Sequence, residues 1–490
     1  MHRKIFLGLL MTTALAASSA NASIVMLADG LLTGSSAGPN TDLSGLSGFL
    51  ENGLPANVLG GLGSGIAYAG GNTFLAVPDR GPNATPYNSA VDDTVSYINR
   101  IQTVHMTLTA NDPSSLLPFS LTPTLTKTTL LYSPTPLTYG SGVGLGNQID
   151  GVTPIGSGAP AQNTSSAYYF TGRSDNFGPG TSGAASDARL DPESIRVSND
   201  GLSVFISDEY GPYVRQFNRQ TGQLIKTFAL PGNLDISNLS PNGAVEISGN
   251  TSGRVANKGM EGLALTPDGK TLVGVMQAAL IQDAASKPTS NMLRIVTIDI
   301  ASGTTHEYGY NLTTGSGVSD IVAINNHQFI LDERDGKGLG DGSSAKVKQF
   351  FKIDLTGAAD ITNLTGAAAA ADVVSKSSFL DLVAILKANG FAATQIPAKI
   401  EGLAFGEDVT VNGQLLHTLF VANDNDFVPG TAGPNQFFVL GFQNSDLPGY
   451  LAQQVTAVPE PAAWALMLLG FGGLGAMLRA RRRQVAAATA

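Results

Sequence analysis

The sequence predicts an all-β protein, a β-propeller of six blades with four antiparallel strands in each blade and one short helix in an insertion. Short apolar runs recur along the chain and are separated by turns such as Asn-Asp-Gly and Pro-Asp-Gly. The stretch from Asp191 to Leu230 holds four such runs in about forty residues, the size of one blade. Units of this kind bury their apolar faces only against neighbours, which favours a closed ring.

Four further stretches repeat the strand, turn and strand pattern, starting near Gly61, Gly262, Gly317 and Lys399. The strands of the sixth blade are predicted from residues 96–110 and 164–177.

Two segments rich in Pro, Ser and Gly, 112–136 and 138–163, are predicted to be loops. The helix is predicted where Phe379, Leu382 and Leu386 share one face, ahead of a capping Gly390.

The two ends of the chain are predicted to be targeting segments. Three basic or polar residues precede an apolar run, and Ala20-Asn21-Ala22 has the form of a cleavage site, so residues 1–22 are predicted to be a signal peptide. A leader (23–60) then precedes the propeller domain (61–445) and a linker (446–457).

Residues 458–484 resemble a PEP-CTERM sorting signal. Val458-Pro459-Glu460-Pro461 precedes a Gly-rich apolar stretch, predicted to cross the membrane at 461–478, and a cluster of arginines. The resemblance implies that an exosortase removes this tail after export, which leaves the protein secreted or at the cell surface. A permanent membrane anchor is the alternative interpretation.

Composition excludes several classes of function. The chain has no cysteine, which excludes disulfides, thiol nucleophiles and thiolate metal sites. Its formal net charge is -10 and charged residues make up 13% of the chain. Nucleic-acid binding relies on clustered Lys and Arg, so a nucleic-acid partner is not expected.

Acidic residues recur at two positions of the blade pattern, the start of the first strand and the end of the second. Glu261 and Glu401 illustrate the first position, and Asp79 and Asp424 the second. Neighbouring antiparallel strands bring these two positions to the same edge of a blade. Repetition around a ring therefore gathers the acids at one mouth of the central channel, where burial demands a compensating cation.

Several ordered motifs between Gly61 and Phe442 resemble the phytase-like family, which is also described as having esterase-like activity of phytase. They are DPESIR, SDEYGPYV, NKGMEGLALTPDG, LDERDG, KIEGLAF and ANDNDF. The resemblance implies an exported bacterial propeller that hydrolyses phosphoric or related esters. By analogy of architecture with alkaline phytases, it also implies calcium.

The residue types at the mouth suit calcium, which takes six to eight oxygen ligands. The candidate metal ligands are Asp191, Asp208, Glu209, Glu333, Asp424 and Asp426. The candidate catalytic carboxylates are Glu193, Glu261 and Glu401. Cations that lie near these acids in sequence are candidates for substrate binding, namely Arg80, Arg196, Arg215, Lys258 and Arg334. For each cation, a salt bridge to a neighbouring carboxylate is the alternative role.

Three functions remain open from the sequence. The first is a calcium-dependent hydrolase of phosphate esters or related esters. The second is a non-catalytic propeller that uses calcium for rigidity and binds an extracellular polysaccharide or protein. The third is a lactonase-like esterase in which calcium polarises a carbonyl group.

Overall fold

The computed structural model describes residues 24–284 and 291–456 of the chain. Within these residues, five sheets of antiparallel strands surround a central channel, so the protein is an all-β propeller as predicted, with five blades rather than six. Predicted segments 1–22 and 458–484 lie outside the described residues.

Each of the first four blades is a sheet whose strands follow in chain order from the channel outwards. Blade 5 is closed by a strand from the N-terminal part of the chain.

The chain starts with β1 (Val25–Leu32), β2 (Gly34–Ser35) and β3 (Gly38–Pro39). Blade 1 contains β4 (Gly65–Tyr68), β5 (Thr73–Val77), β6 (Arg100–Ala110) and β7 (Phe119–Leu130). A small sheet follows, β8 (Tyr132–Ser133) and β9 (Tyr168–Tyr169). Blade 2 contains β10 (Pro192–Val197), β11 (Ser203–Asp208), β12 (Tyr213–Asn218) and β13 (Leu224–Phe228).

Blade 3 contains β14 (Met260–Leu265), β15 (Thr271–Met276), β16 (Met292–Asp299) and β17 (Thr305–Asn311). Blade 4 contains β18 (Gly317–Ala323), β19 (Gln328–Arg334), β20 (Lys348–Asp354) and β21 (Lys376–Asp381). Blade 5 contains β22 (Lys399–Phe405), β24 (Gln414–Asp424), β25 (Asn435–Phe442) and β1, with β23 (Val409–Val411) paired to β24.

Short helices lie between and beside the strands. The α-helices are α1 (Gly243–Gly249), α2 (Ile281–Ala284), α3 (Gly366–Ala370), α4 (Leu382–Ala388) and α5 (Pro429–Ala432). The 3₁₀ helices are Leu62–Ser64, Ser89–Val91 and Gly232–Leu234. Helix α4 is the one predicted from sequence, but it begins at Leu382, and Phe379 of the predicted face lies in strand β21 instead. Leu382 and Leu386 are buried, and Asp381 caps the first turn by accepting a hydrogen bond from the Ala384 N–H at 3.1 Å.

The prediction of a sixth blade is wrong because one of the two segments assigned to it belongs to blade 1 and the other forms only a short strand outside the blades. Strand β6 comes from the segment 96–110, and β7 comes from the segment 112–136 that was predicted to be a loop. The segment 164–177 supplies only β9, which pairs with β8. A sixth blade is therefore not formed by the part of the chain that the structure describes.

Hydrophobic side chains join the blades to one another. Among the described residues, five large clusters each lie between two consecutive blades around the ring, including the pair formed by blades 5 and 1. Strand β1 contributes Leu27 to the cluster between blades 5 and 1. Part of the segment predicted to be a leader is therefore a structural part of the propeller.

Candidate functional site

The inner strands of blades 2 to 5 each contain a β-bulge, and each bulge contains an acidic residue. The register shifts lie between Pro192 and Ile195, between Met260 and Gly262, between Val318 and Ile321, and between Ile400 and Gly402. The acids within these intervals are Glu193, Glu261, Asp320 and Glu401. A bulge inserts one extra residue into a strand and changes the direction of its side chain. These carboxylates therefore do not follow the regular alternation of side chains between the two faces of the sheet.

The first acidic cluster, which we call the blade 2 cluster, consists of Asp191, Glu193 and Glu209. One carboxylate oxygen from each lies within 4.8 Å of the others, and all three residues are buried. Arg80 Nη2 lies 2.6 Å from Asp191 Oδ2 and 3.1 Å from Glu209 Oε2. Glu193 has no basic side chain within ion-pair distance among the residues described.

Burial changes the proton affinity of this cluster. Desolvation raises the pKa of Asp191 to about 7, although the neighbouring Arg80 opposes the shift. Desolvation also raises the pKa of Glu193 well above its usual value, and the charges of Asp191 and Glu261 add to this effect. Neutral or cation-bound forms of these carboxyl groups are therefore favoured at neutral pH.

The second cluster, which we call the seam cluster, joins the first blade to the last. Asp79 follows β5 of blade 1, whereas Asp424 and Asp426 end or follow β24 of blade 5, and oxygens of all three lie within 4.8 Å. Lys399 Nζ lies 2.9 Å from Asp424 Oδ2 and also contacts Asp426. Burial acts to raise the pKa of Asp424, but Lys399 and hydrogen bonds hold that pKa below its usual value.

Glu261 and Glu401 lie between the two clusters, and the Arg334 side chain is near both of them. Arg334 forms a close ion pair with Glu401 and lies 3.8 Å from Glu261. Gln277 Nε2 donates to Glu261 Oε1 at 2.7 Å, while Glu261 Oε2 is buried without a hydrogen-bond partner. Desolvation raises the pKa of Glu401 to about 7 and raises that of Glu261 well above its usual value.

Asp320, in the bulge of blade 4, accepts hydrogen bonds from residues of blades 2 and 5. It accepts hydrogen bonds from Arg196 Nη2 at 2.8 Å, from Ser194 Oγ at 3.0 Å and from the Leu403 N–H at 2.8 Å. Arg196 also donates to the carbonyl of Ile66 at 2.8 Å. The structure thus places Arg196, a candidate substrate-binding residue, in a buried pair that spans blades 1, 2 and 4.

Four candidate residues lie away from the clustered carboxylates. Asp208 is buried and accepts from the Asp191 N–H at 3.0 Å and the Gly211 N–H at 2.7 Å, so it supports the blade 2 cluster through the backbone. Arg215 is buried between the rings of Phe170 and Tyr213, each with its centroid 4.4 Å away.

Glu333 and Lys258 complete this group. Glu333 is buried in blade 4, where it accepts from Tyr310 Oη at 2.5 Å and the Thr314 N–H at 2.7 Å and pairs with Lys376. Lys258 is half-buried, and no carboxylate among the described residues lies within ion-pair distance of it.

Two members of the clusters were absent from the residues assigned roles from the sequence. Asp79 fits the predicted acidic position at the end of a second strand, so the repeat pattern contains its signal. Lys399 lies two residues before Glu401, just as Asp191 lies two residues before Glu193. If the blade sequences are aligned on Glu193 and Glu401, Lys399 takes the position of Asp191, which predicts that Lys399 lies at the mouth.

The blade 2 cluster fits a hard divalent cation. It offers carboxylate oxygens, which calcium prefers. When ionised it carries three negative charges against one positive charge from Arg80, and buried charges require compensation.

The fold and the site together define a class, a five-bladed β-propeller with buried carboxylates at one mouth. The chain belongs to the phytase-like family, described as having esterase-like activity of phytase, whose model matches residues 57–427. Residues 457–483 match the PEP-CTERM protein-sorting motif. Both resemblances inferred from the motifs are confirmed.

Comparison with individual proteins adds distant similarities. An uncharacterized secreted protein from Arthroderma benhamiae is 34% identical over 157 residues, which are 29% of this chain and 30% of that protein's length. The periplasmic gluconolactonase of Pseudomonas aeruginosa is 11% identical with a TM-score of 0.31, over 84% of this chain and 95% of that chain.

The PQQ-bound aldose sugar dehydrogenase of Streptomyces coelicolor is 13% identical with a TM-score of 0.29, over 83% of this chain and 84% of that chain.

Proposed function

We propose that the protein is an exported ester hydrolase that acts with a divalent cation, calcium, at the carboxylate-lined mouth of the propeller. The blade 2 cluster carries this proposal, because it concentrates three buried carboxylates beside a single arginine. Membership of the phytase-like family supports ester hydrolysis as the reaction. The substrate is a phosphate monoester or a related ester.

The residues of the mouth have distinct roles in this proposal. A calcium ion held here would supply Lewis-acid chemistry, that is, polarisation of the ester and a lower pKa of a coordinated water. Asp191, Glu193 and Glu209 would hold the ion through carboxylate oxygens, and Arg80 keeps Asp191 and Glu209 in position. Glu261, whose Oε2 has no hydrogen-bond partner, would accept a proton from the attacking water and return it to the leaving alcohol oxygen as the ester bond breaks.

Glu401 positions Arg334 and does not act on the ester itself. Its close pair with Arg334 keeps that guanidinium group beside Glu261, where it limits the pKa increase of Glu261. The mouth therefore has an arginine that helps to set the proton affinity of the proposed proton carrier.

The charges of the mouth favour substrates with few negative groups. Arg80, Arg334 and Lys399 each contact carboxylates of the protein. A densely phosphorylated substrate requires a cluster of cations that are free to contact it. A monoester therefore fits this mouth better than a polyphosphate ester.

The sorting motif supports export, followed by exosortase processing and localisation at the cell surface or outside the cell. Among residues 24–284 and 291–456, no helix is both long and apolar enough to span a membrane. In this proposal, membrane contact comes from the C-terminal tail before it is removed.

The test is hydrolysis by the exported protein, expressed from the full-length chain, with phosphomonoesters and acyl esters in calcium and then in chelator. We expect Glu193→Gln to lower calcium-dependent kcat at least a hundredfold, because it removes a ligand charge. The control is Asp372→Asn, which changes an exposed acid outside the mouth. Hydrolysis that is unaffected by chelator would contradict the proposal.

A second candidate is a non-catalytic propeller that calcium stabilises for binding an extracellular polysaccharide or protein. The seam cluster favours it, because Asp79 of blade 1 meets Asp424 and Asp426 of blade 5 at the closure of the ring. A calcium-dependent increase in Tm, lost in Asp426→Asn, without turnover of any ester, would support this function over hydrolysis.

A further inference from the structure

Residues 446–456 cross the face of the propeller that lies opposite the carboxylate mouth, and we call them the C-terminal strap. Tyr450 packs against Phe405 of blade 5, with the two ring centroids 4.7 Å apart. Asn325, in the turn between β18 and β19 of blade 4, donates from Nδ2 to the Gly449 carbonyl at 3.1 Å. The first half of the strap is therefore fixed to blades 4 and 5.

The second half of the strap is fixed to blade 2. Gln453 Nε2 donates to the Val197 carbonyl at 2.7 Å and to Asn199 Oδ1 at 2.8 Å. The Thr456 N–H donates to the Asn199 carbonyl at 2.9 Å, and Val455 packs against the hydrophobic cluster between blades 1 and 2. Thr456 directly precedes the matched sorting motif, so the propeller holds the chain up to the point where that motif begins.

The strap passes across the axis of the channel. A cavity of about 390 Å³ lies at this end of the channel, with residues 452–455 of the strap in its lining. Each inner strand also contributes to this lining, through Ala67, Arg196, Leu265, Val322 and Leu403. A segment that lines one cavity together with all five inner strands lies near the centre of the face and not at its rim.

The chain that joins the strap to the predicted membrane-spanning stretch, 461–478, is short. Residues 457–460 separate Thr456 from Pro461. A fully extended chain covers at most about 18 Å over that interval, and headgroups occupy about 5–8 Å beyond the hydrocarbon core. Thr456 therefore lies within about 13 Å of the headgroup surface while the tail is in the membrane.

The mouth is farther from this attachment point than the tether can reach. Strands β10 and β22, of 6 and 7 residues, run along the channel from the mouth to the strap face. At about 3.3 Å per residue, these strands separate the two faces by about 20 Å. A ring that is attached near the centre of one face, by a tether shorter than its own height, cannot turn the opposite face to the same bilayer.

We propose that, while its tail is in the membrane, the protein lies with the strap face towards the bilayer and the carboxylate mouth directed away from it. The inference rests on the proposed function for the membrane contact of the tail. It narrows the substrate class, because the mouth then receives esters dissolved on the aqueous side and not the lipid esters of the same bilayer.

The orientation is measured with single labels, which are practical because the chain has no cysteine. Ala301→Cys lies in the turn between β16 and β17 on the strap side of blade 3, and Ala244→Cys lies in helix α1 on the mouth side, both at exposed positions. Each labelled full-length chain, purified from a host without exosortase, is reconstituted in nanodiscs whose lipids carry an energy-transfer acceptor. We expect transfer to be about twofold or more stronger from Ala301→Cys, because the labels differ in height by about 20 Å.

A longer tether is the first control. A flexible Gly-Ser insertion of about 30 residues after Thr456 leaves the strap in place but lets the propeller turn, so it should abolish the difference between the two labels. A difference that survives this insertion would show that the short tether does not set the orientation.

The hold of the strap is tested without a membrane. Gln453→Ala removes both side-chain hydrogen bonds to blade 2, and Gln454→Ala is the matched control, because Gln454 Nε2 donates to the Ala452 carbonyl within the strap. Amide hydrogen exchange at residues 453–456 should become about tenfold faster in Gln453→Ala and stay unchanged in Gln454→Ala. Rapid exchange at Thr456 in the wild type would overturn the attachment of the strap.

Equal transfer from the two labels, or stronger transfer from Ala244→Cys, in discs that hold the protein would overturn the orientation alone. A full-length chain that does not remain with the discs would overturn the membrane contact of the tail, and the orientation with it. Neither readout involves ester hydrolysis, so failure of the orientation is distinguishable from failure of the proposed hydrolase.

If hydrolysis is found, the disc-bound protein should cleave a soluble phosphomonoester with a kcat within about twofold of that of the free protein. It should leave the matching phosphomonoester on a lipid of its own disc uncleaved. Cleavage of that lipid at a comparable rate would contradict the inference.

Discussion

At the scale of single residues, the mouth concentrates carboxyl groups that resist ionisation. Burial raises the pKa of Asp191 and that of Glu401 to about 7 each, from ordinary values of 3.8 and 4.5. A carboxyl group whose pKa is higher in the folded state binds its proton more tightly there, so its stabilising effect is lost as pH rises through the folded pKa. Bound calcium would offset this loss of stability, because it would balance the negative charge of the ionised carboxylates.

We therefore expect the free energy of unfolding in chelator to fall as pH rises from about 5 to about 8. Calcium should raise Tm more at pH 8 than at pH 5, because the ligands are then ionised. Thermal unfolding across this range with and without calcium is the measurement. A Tm in chelator that is constant over this range, or that increases, would contradict the raised pKa values.

The residue types at the mouth were predictable from sequence, whereas their pairing was not. The repeat pattern identifies Glu193, Glu261 and Glu401 as members of one mouth. The pattern does not show that Arg80 and Arg334 form ion pairs with carboxylates of the protein. The paired residues are more than 50 positions apart in the sequence, and Arg80 and Asp191 are 111 positions apart.

At the scale of the strand, close packing against the next blade explains why glycine follows the acid at Glu261 and Glu401. A Cβ atom at Gly262 would lie 2.9 Å from Asp320 Cα, in the inner strand of the next blade. A Cβ atom at Gly402 would lie 2.9 Å from the carbonyl oxygen of Gly63. The next blade therefore approaches so closely, through β18 at Gly262 and through the 3₁₀ helix Leu62–Ser64 at Gly402, that these positions have no space for a side chain.

We expect Gly262→Ala to lower the free energy of unfolding by about 1–3 kcal/mol, because backbone must move to admit the methyl group. Gly232→Ala is the matched control, since no atom lies within 4 Å of its added Cβ. It should change stability by less than about 1 kcal/mol. Urea unfolding measures both, and an equal effect of the two variants would contradict the close approach.

Strands and helix were predicted with unequal success. Helix α4 and the strands of blades 2 and 3 follow from apolar periodicity and turn residues. The strand β7 did not, because the segment 112–136 around it is rich in Pro and Ser and resembles a loop, and β7 becomes a strand through pairing with β6. Tertiary pairing overrides weak local preference in such strands.

At the scale of the whole molecule, β1 closes the ring by pairing with β25 over Val25–Leu32. The strand joins the N-terminal part of the chain to the last blade and covers what would be an exposed edge. Leu27 is fully buried between blades 5 and 1, whereas Leu31, four residues later, is 51% exposed.

Leu27→Ala should therefore lower the free energy of unfolding by about 3 kcal/mol, because it leaves a cavity between blades 5 and 1. Leu31→Ala should change it by less than about 0.5 kcal/mol. Chemical denaturation of both variants tests whether this strand supports the closed ring. Similar stability of the two variants would show that β1 is dispensable for closure.

The opposite face of the propeller is crossed by residues 446–456, in the segment predicted to be a linker. The Leu451 N–H donates to the Ile324 carbonyl at 2.8 Å, Gln453 Nε2 to the Val197 carbonyl at 2.7 Å, and the Thr456 N–H to the Asn199 carbonyl at 2.9 Å. These partners lie at or beyond the ends of inner strands that start at the mouth. The segment before the sorting motif is therefore held on the face away from the carboxylates.

The sequence by itself determined the all-β repeat, the gathering of acids at one mouth, the family and the sorting motif, because strand periodicity, turn residues and motif spacing are local properties. The tertiary structure decided the number of blades, the closure by β1, the bulges that contain the glutamates, and the pairing of the arginines with carboxylates at the mouth. These features depend on which strands pair and on which distant charges meet when buried. In this fold, pairing and burial are set by the closure of the whole ring.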